Sequence, residues 1–385
     1  MGRRSTREDF VRKRIRILQF TVAASKGGRT QYILNLWRKI DHARFVFDFI
    51  TFSEALDFED ELTVDSGTVF YLRNYPESNR EGFISEFREV LKNKYDVIEI
   101  HTSYWKDTIV EELAKEAGIK RIIIHGHSTG ITQITANNRN EEERLIYNHN
   151  KVKSRINKDI ATDFWACSEA SADWLYRPMI PDERIRIIHN TIDTNRFSFN
   201  KEIRKRARKE FGWENYYVFG FVGRLEPSKN LRFLLSAFDL ARSEKNGIRL
   251  IIVGDGSEKK ELEKYVHKLG LNTCVRFTGR KDDTSYYYQM MDCFLLPSIF
   301  EGFPIVLLEA QCSGLKCIIS QGIPMEECLT DSIIRISISD VSAWKKAMLG
   351  VVNEYEREEF AELLKKRGFD TETQIVLIEE LYEKV

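Results

Sequence analysis

Two glutamates, Glu301 and Glu309, stand eight residues apart in the largely apolar stretch from Cys293 to Ser313. Glu301 lies in a predicted loop beside Gly302, a residue type that lets the backbone approach a ligand. A helix predicted to start at Pro304 places Glu309 on a buried stripe, where an unpaired carboxylate costs on the order of several kcal/mol. Glu309 therefore needs a partner. A sugar diol fits its two oxygens, and a core Arg or Lys is the alternative.

Two cations, Arg224 and Lys229, stand in the segment GRLEPSK. This segment follows a predicted strand, 217–223, and precedes a helix predicted from about Asn230. Cations held at a helix N-terminus favour binding of a diphosphate. The alternative interpretation is that these cations pair with Glu226 or with the N-terminal region of the helix.

The next predicted strand, 249–254, ends in the turn Gly254, Asp255, Gly256, which could let the backbone approach a phosphate or a base. The sequence contains no D-x-D triplet that would hold a divalent metal on a nucleotide diphosphate. We therefore expect no metal and no other cofactor, and we expect the two cations to neutralise a leaving diphosphate.

Three histidines stand at the carboxyl ends of predicted strands. His101 ends the strand 97–101, and His125 and His127 end the strand 121–126. Ligands bind at this edge of open parallel sheets. A single histidine in such a place is more often structural, but three together predict an acceptor site.

A glycine pair, Gly27 and Gly28, lies between a predicted strand, 14–20, and a helix predicted from about Thr30. Backbone N–H groups and the helix dipole favour an anion at such a position. A glycine turn without a ligand is the alternative.

Strand-like and helix-like segments alternate along the whole chain, which predicts an α/β fold with parallel sheets. The chain has 385 residues, enough for two domains. A turn-rich segment after Asn190 ends the first series, so we place one domain at 1–196 and a second at 197–370. The tail, 340–385, is predicted to form three helices, and the apolar face of the last one needs a surface to cover.

Composition excludes several classes of protein. Lys plus Arg and Asp plus Glu number 59 each, so no global charge favours nucleic acid. No apolar run approaches the length of a membrane span, and the first residues lack the apolar region of a signal peptide, so a cytoplasmic protein is expected. The 6 cysteines are scattered and are expected to be reduced.

Two segments are strongly basic. Residues 1–16 carry seven Arg or Lys and two acids, and residues 201–209 carry six and one. Such segments can lie against anionic lipid, which would place the protein at the membrane surface. A solvated helix face with a basic tail is the alternative.

The motifs GRLEPSK, GDG, FTGR and EGFPIVLLE occur in an order that resembles family 4 of the retaining glycosyltransferases. The segments SKGGRTQYILNLWRKID, HGHST and FWACSEAS resemble the bacterial enzymes that build capsular or extracellular polysaccharide. The resemblance implies the GT-B architecture, in which two Rossmann-like domains face each other. It also implies that the last helix, within 371–385, crosses back onto the first, acceptor-binding domain.

The resemblance implies roles for individual residues. Glu301 would contact the hydroxyls of the donor sugar and Glu309 the ribose. The implied donor-binding positions are Gly28, Arg224, Lys229, Gly254, Asp255, Gly256, Arg280, Glu301, Gly302, Phe303, Pro304 and Glu309. The implied catalytic positions are Glu301, Arg224, Lys229 and one of His125 and His127. Family members often carry H-x-H where this chain has E-I-H, with Glu99 in the first place.

The expected function is metal-independent transfer of a hexose, with retention, from a nucleotide diphosphate sugar to a saccharide acceptor. UDP is the expected nucleotide, and the acceptor is expected to be free or carried on polyprenyl diphosphate. The resemblance implies front-face attack without a covalent nucleophile. Three rivals remain: a nucleotide-sugar epimerase, a phosphorylase, and a non-catalytic subunit that binds a sugar nucleotide. A dinucleotide dehydrogenase is disfavoured because no G-x-G-x-x-G opens a helix.

Overall fold

The computed structural model describes residues 13–24, 28–131, 139–301, 303–324, 328–352 and 357–384. These residues form two parallel β-sheets, one in each half of the chain, with helices connecting successive strands. The predicted α/β fold with two parallel-sheet domains is confirmed.

The first sheet has seven strands in the order β3-β2-β1-β4-β5-β6-β7. The strands are β1 Ile15–Val22, β2 Phe45–Thr51, β3 Val69–Tyr71, β4 Val97–Thr102, β5 Arg121–Gly126, β6 Asp163–Ala166 and β7 Ile185–Ile187. The helices are α1 Gly28–Lys39, α2 Glu59–Leu62, α3 Arg80–Leu91, α4 Ile109–Glu116, α5 Arg139–Lys153 and α6 Glu169–Leu175. The strand order reverses between β1 and β4, which marks a ligand-binding crevice in sheets of this kind.

The second sheet has six strands in the order β10-β9-β8-β11-β12-β13. The connecting helices α7 Thr194–Phe197 and α8 Lys201–Phe211 lead into it. The strands are β8 Tyr217–Val222, β9 Ile248–Val253, β10 Val275–Gly279, β11 Cys293–Leu296, β12 Lys316–Ser320 and β13 Ile333–Ile336. The helices are α9 Leu231–Glu244, α10 Lys259–Lys268, α11 Ser285–Met290, α12 Ile305–Cys312, α13 Val341–Val351, α14 Ala361–Lys366 and α15 Thr371–Tyr382. Here the order reverses between β8 and β11.

The central strands are apolar throughout because both of their faces are covered. Along β5, Ile122 and Ile124 belong to one hydrophobic cluster and Ile123 belongs to another. Side chains alternate between the faces of a strand, so these clusters lie on opposite sides of the sheet. Such packing holds the carboxyl ends of the strands, and the loops that follow them, in fixed positions.

Two differences from the sequence predictions concern β13 and α12. The strand β13 was not predicted, because it is a short edge strand with a half-exposed pattern that gives little periodic signal. The helix α12 begins at Ile305, and Pro304 is its N-cap rather than its first helical residue.

The last helix, α15, packs against the first domain, as predicted. Arg44 donates to Glu379 at 2.8 Å, and the Arg121 guanidinium donates to the carbonyl of Leu381. The Tyr382 ring lies in the hydrophobic cluster that contains Phe45. The end of the chain therefore completes the core of the first domain.

The two domains are joined where α15 begins. The backbone N–H of Thr371 donates to the carbonyl of Ile192 at 2.9 Å, and the Thr194 hydroxyl donates to Asp370 at 2.6 Å. The predicted boundary between 196 and 197 lies in this connection, between the last strand of the first sheet and the first strand of the second. Within the described ranges, no helix combines the length and the apolar character needed to cross a bilayer.

Candidate active site

Three loops of the second domain form one surface at the point where its strand order reverses. They follow β8, β9 and β11, and backbone hydrogen bonds connect them. The N–H of Leu225 donates to the carbonyl of Asp255 at 2.9 Å, and the N–H of Ile299 donates to the carbonyl of Ser228 at 2.8 Å. The segments GRLEPSK, GDG and SIFEG are therefore brought together, as a shared ligand site requires.

The glycines of the GDG turn are explained by this loop packing. A Cβ at Gly254 would lie 1.8 Å from the carbonyl oxygen of Gly223, and one at Gly256 would lie 2.4 Å from that of Leu225. The φ of Gly254 is 143°, which also favours glycine. The two glycines allow the loops to touch each other, so their presence does not require a phosphate or base beside them.

Lys229 and Glu301 form an ion pair on this surface. The Lys229 ammonium donates to Glu301 Oε1 at 2.5 Å, and the Ser298 hydroxyl donates to the same oxygen at 2.6 Å. Both charged side chains are mostly buried, with 16% and 11% of their surface exposed. An ammonium has three donors, so Lys229 can bind a phosphate oxygen while it still holds Glu301.

Arg224 pairs with Glu226 at 2.7 Å, as the alternative sequence interpretation expected for both cations. For Lys229 that alternative is wrong, because its partner is Glu301. The Arg224 side chain is 58% exposed, and an exposed pair of this kind contributes little to stability. Its guanidinium can therefore exchange Glu226 for an anionic ligand at low cost.

The partner of Glu309 is the hydroxyl of Tyr288, not a core Arg or Lys. Tyr288 donates to Glu309 Oε2 at 2.7 Å and also contacts the carbonyl of Val306. Among the described residues, none donates a hydrogen bond to the second oxygen of Glu309. Burial raises the pKa of Glu309 to about 7. This carboxylate keeps an acceptor available for a hydroxyl group.

The histidines predicted for the first domain do lie together, at the carboxyl ends of β4 and β5. His101 Nδ1 lies 2.8 Å from His127 Nε2, His101 Nε2 lies 2.6 Å from the Gln19 amide oxygen, and His125 Nδ1 lies 2.8 Å from Glu99. The amide oxygen and the carboxylate can only accept, so His101 carries its proton on Nε2 and His125 on Nδ1. His125 Nε2 is buried and has no hydrogen-bond partner among the described residues.

Glu99 is the buried acceptor that fixes this network. It accepts from His125, from the Gln19 amide at 3.1 Å and from the Tyr382 hydroxyl. Burial alone would raise its pKa, but the neighbouring His101 and the hydrogen bonds from His125 and Tyr382 lower it to about 2. Sequence reasoning recorded Glu99 only as a departure from H-x-H. The structure shows that it orients His125.

Burial keeps two of the rings neutral. It lowers the pKa of His101 to about 3 and that of His127 well below its ordinary value. One nitrogen of each histidine lies within 4.8 Å of the others. Among the described His, Cys, Asp and Glu residues, this is the one group of three or more so placed, and the spacing could hold a metal ion.

Both halves of the chain match known families. Residues 26–196 match the model described as "Glycosyltransferase Family 4", and residues 203–368 match "Glycosyl transferases group 1". Together the two models cover most of the chain, and both describe glycosyltransferases. EpsF of Bacillus subtilis (strain 168), named as a glycosyltransferase, is 28% identical over 378 residues, which cover 95% of this chain and 96% of EpsF.

Another relative of this chain has a named reaction. The Escherichia coli UDP-Gal:alpha-D-GlcNAc-diphosphoundecaprenol alpha-1,3-galactosyltransferase is 29% identical over 299 residues, which cover 71% of this chain and 70% of that enzyme. Among solved structures, Anabaena HepE in complex with UDP-glucose superposes with a TM-score of 0.77 at 19% identity, covering 96% of this chain and 100% of HepE. WaaG superposes with a TM-score of 0.71. These likenesses confirm the predicted GT-B fold.

The remaining predicted donor positions of this chain lie around the same loops. Arg280 follows β10 and reaches towards Asp57 of the first domain, with 3.8 Å between the charged groups. Asp255 accepts from its neighbour's N–H and from Lys259. The Phe303 ring stacks on Phe369 at 6.1 Å. Gly302 lies outside the described residues, and these donor contacts stay predictions.

Gly28 differs from the glycines of the GDG turn. It is the first residue of α1, and a Cβ built there would meet nothing within 4 Å. No packing among the described residues therefore requires a glycine at this place. Open space beside an N-terminal helix turn is compatible with the predicted approach of a phosphate.

Replacing Glu309 by Gln is expected to stabilise the unliganded protein at pH 8 more than at pH 5. Burial raises the folded-state pKa of Glu309 from 4.5 to about 7, so the folded protein binds a proton that the unfolded chain has lost. The wild type therefore loses stability as the pH rises from 4.5 through 7, and the Gln variant does not. The difference is at most about 3 kcal/mol in the free energy of unfolding, measured in urea.

The matched control for this prediction is Glu210→Gln. Glu210 is exposed and accepts from the Tyr286 hydroxyl at 2.6 Å, so it repeats the Tyr–Glu contact without the burial. We expect no difference between pH 5 and pH 8 for this variant. An equal effect of Glu309→Gln at both pH values would contradict the raised pKa.

Proposed function

We propose that this protein transfers a hexose from a UDP-sugar to a saccharide acceptor with retention of the anomeric configuration, and that the reaction needs no metal. The observation that supports this most directly is the partly buried pair of Lys229 and Glu301. It lies beside Arg224, at the reversal point of the second sheet. A cation for the diphosphate and an acid for the sugar hydroxyls are thus held next to each other.

The donor is proposed to bind across the three loops that follow β8, β9 and β11, which backbone hydrogen bonds connect. Glu309, with one oxygen held by Tyr288, accepts from the ribose hydroxyls through the other. Lys229 and Arg224 contact the diphosphate, and Glu301 contacts the sugar. These contacts follow the chemistry of each group, because carboxylates accept from diols and cations bind phosphate oxygens.

In the proposed reaction, the bond between the anomeric carbon and the diphosphate oxygen breaks while the acceptor oxygen attacks from the same face. The proton of the acceptor hydroxyl passes to an oxygen of the leaving diphosphate. Lys229 and Arg224 stabilise the charge that develops on that group, which is the task a metal would otherwise perform. Glu301 is held by Lys229 and Ser298, and we assign it to binding rather than to covalent catalysis.

The acceptor is proposed to enter from the first domain, beside His125 and His127. The Escherichia coli relative is named for an acceptor linked to diphosphoundecaprenol, which supports a lipid-linked saccharide here.

We further propose a cytoplasmic protein with peripheral membrane contact through its basic segments. Within 201–209, however, Arg204 and Arg208 bond to Asp292 in the interior, so only the other cations could face lipid. Residues 1–12 of the other segment lie outside the described residues.

The first experiment is calorimetric binding of UDP, GDP and ADP in the presence of EDTA. UDP is expected to bind without metal, and Lys229→Ala is expected to weaken it by about tenfold or more, the loss of one charge-assisted contact. Lys345→Ala is the matched control, because Lys345 forms an ion pair of 2.7 Å with Glu244 on helices α13 and α9. UDP binding that is absent, or unchanged in Lys229→Ala, would overturn the donor site.

Product analysis separates transfer from the rival reactions. With a UDP-sugar and a saccharide acceptor, NMR of the product is expected to show the anomeric configuration of the donor. A new sugar nucleotide formed without acceptor would indicate an epimerase, and a sugar phosphate formed from inorganic phosphate would indicate a phosphorylase. UDP binding without turnover on any acceptor would favour a non-catalytic subunit.

A further inference from the structure

A cavity of about 350 Å³ lies in the first domain, beside the point where its strand order reverses. It is lined by segments that follow β1, β2, β3 and β4 and by the start of helices α1 and α4. Cavities of this size hold small ligands in enzymes. His101 lines it and bonds to His127, so the cavity adjoins the histidine cluster.

One side of this cavity carries a cation without a counterion. Arg29 is the second residue of α1 and lines the cavity. In the part of the chain that the structure describes, it forms no ion pair, and burial lowers the pKa of its guanidinium from the ordinary value. Its charge adds to the burial that lowers the pKa of His101 and of His127. A partly buried, uncompensated cation of this kind favours an anionic ligand.

The other cation of the cavity is already neutralised. Lys106 forms an ion pair of 2.7 Å with Glu77, and both side chains are about half exposed at the cavity wall. Arg29 is therefore the group on which an anion would depend.

A buried acid without a cation also lines the cavity. Glu111, on α4, is 4% exposed, and burial raises its pKa to about 8, so it is largely protonated at neutral pH. Its carboxyl forms no ion pair within the described ranges, and its hydrogen bond is to its own backbone N–H. A protonated carboxyl can both donate to and accept from a sugar hydroxyl.

The cavity also offers flat apolar surface. The rings of Phe52 and Tyr75, which both line it, stack at 4.4 Å with an angle of 16° between them. Trp105 lines it too, and its indole N–H is bonded to the carbonyl of Leu175. Aromatic faces beside polar groups suit a sugar ring, which has an apolar face and hydroxyl edges.

We infer that this cavity binds an acceptor sugar that carries a phosphate group, with Arg29 on the phosphate and Glu111 on a sugar hydroxyl. A neutral sugar would leave Arg29 without a counterion, and inorganic phosphate would leave Glu111 and the aromatic wall unused. The inference rests on the proposed function. It adds the charge of the acceptor and names the residues that bind its phosphate and one of its hydroxyls. The phosphate can come from a free sugar phosphate or from a lipid-linked diphosphate.

The test is calorimetric binding to the full chain saturated with UDP. The probes are glucose, galactose and N-acetylglucosamine 1-phosphates, the corresponding methyl glycosides, and inorganic phosphate. At least one 1-phosphate is expected to bind about tenfold or more tightly than its methyl glycoside, as a charge-assisted hydrogen bond predicts. Arg29→Gln is expected to remove that preference and Arg29→Lys to retain part of it. Arg38→Gln, on the same helix with its partner Glu61 at the surface, is expected to leave it unchanged.

Any of several results would overturn the inference. The first is equal binding of sugar phosphates and methyl glycosides to the wild type, and the second is a preference that survives in Arg29→Gln. The third is loss of UDP affinity in Arg29→Gln, which would place Arg29 in the donor site. If the wild type binds no UDP at all, the proposed function fails. The preference for sugar 1-phosphates over methyl glycosides is then measured on the chain without UDP.

A short-chain polyprenyl diphosphate sugar distinguishes the two sources of the phosphate. Tighter binding of this probe than of the matching sugar 1-phosphate, with the same dependence on Arg29, supports the site and assigns it to a lipid-linked acceptor. Equal binding with that dependence supports the site and assigns it to a free sugar phosphate. Binding of inorganic phosphate as tight as that of every sugar phosphate overturns it.

Discussion

Replacing Lys229 by alanine is expected to lower kcat for sugar transfer by about 10²–10³-fold, the cost of removing one donor aimed at developing charge. The Lys229 ammonium is partly buried and fixed by Glu301 at 2.5 Å, so it needs little reorganisation when the diphosphate departs. The diphosphate gains negative charge as the glycosidic bond breaks, so the interaction is stronger in the transition state than in the bound donor.

A second explanation of such a loss must be separated from this one. Removing Lys229 also leaves Glu301 with only the Ser298 hydroxyl as a partner. The double variant Lys229→Ala, Glu301→Gln removes both charges of the pair. Because Glu301 is also proposed to contact the sugar, Glu301→Gln alone is the reference for the double variant. If the unpaired acid caused the loss, Lys229→Ala would cost little in the Glu301→Gln background. We expect it to cost as much there as in the wild type, because stabilisation of the leaving group is lost in both.

The measurement is the initial rate at saturating donor and acceptor, which reports kcat rather than donor affinity. A donor with a better leaving group, such as a glycosyl fluoride, is expected to be affected less by Lys229→Ala than the UDP-sugar is. Lys345→Ala, which breaks the surface pair with Glu244, should turn over like the wild type. A kcat of Lys229→Ala close to that of the wild type would contradict the proposed role.

Much of the fold could be predicted from the sequence because the strands are buried on both faces. Runs such as RIIIHG and CFLL are apolar at every position that a covered parallel strand requires, and glycine or polar residues end them. The strand Ile333–Ile336 was not predicted, because an edge strand is covered on fewer sides and its sequence is therefore less constrained. Local pattern therefore predicts the centre of each sheet better than its edge.

The donor loops could also be located, but the partners of their side chains could not. The segments that carry Lys229 and Glu301 follow strands on either side of the reversal point, so the sequence places both at one edge of the sheet. That Glu309 is held by Tyr288, rather than by a cation, depends on how α11 packs against α12. Two helices in contact leave no periodic signal that identifies which pair of side chains meets.

The hydrogen-bond network around His125 could not be predicted from the sequence at all. Glu99 is joined to Tyr382 across 283 positions of the chain, and only the return of α15 to the first domain brings them together. The family resemblance implied that return, and the apolar face of the last helix agreed with it. Neither gave any indication that a hydroxyl on that helix would be bonded to the acid that orients a histidine.

Replacing Tyr382 by alanine is expected to destabilise the protein by about 3–5 kcal/mol in the free energy of unfolding, the cost of removing a large buried ring. The Tyr382 ring is fully buried and lies about 6 Å from the rings of Phe45, Phe47 and Trp165. Its hydroxyl also donates to Glu99, which is ionised and buried. The variant therefore loses packing and leaves Glu99 with fewer donors.

Tyr382→Phe separates these two contributions, because it keeps the ring and removes the hydroxyl. We expect it to cost about 1.5–3 kcal/mol, the range for a hydrogen bond to a charged group. The pKa of Glu99 is about 2 in the folded state against an ordinary value of 4.5, so its interactions stabilise the fold above pH 4.5 and are lost as the pH falls towards 2. Urea unfolding at pH 7 therefore measures the full effect.

Leu377→Ala is the control on the same helix, because that side chain is 39% exposed and should cost about 0.5 kcal/mol or less. If Tyr382→Ala cost no more than this, α15 would be a covering on the first domain rather than part of its core.

Tyr382→Phe also has a consequence for the site. Glu99 would still accept from His125 and Gln19 but would be held less firmly, so the direction of the His125 ring would be less restricted. The rate of sugar transfer should therefore fall in Tyr382→Phe. The affinity for UDP should stay at the wild-type value, because the proposed UDP site lies in the second domain. A parallel loss of both would show that Tyr382 acts through the stability of the whole fold.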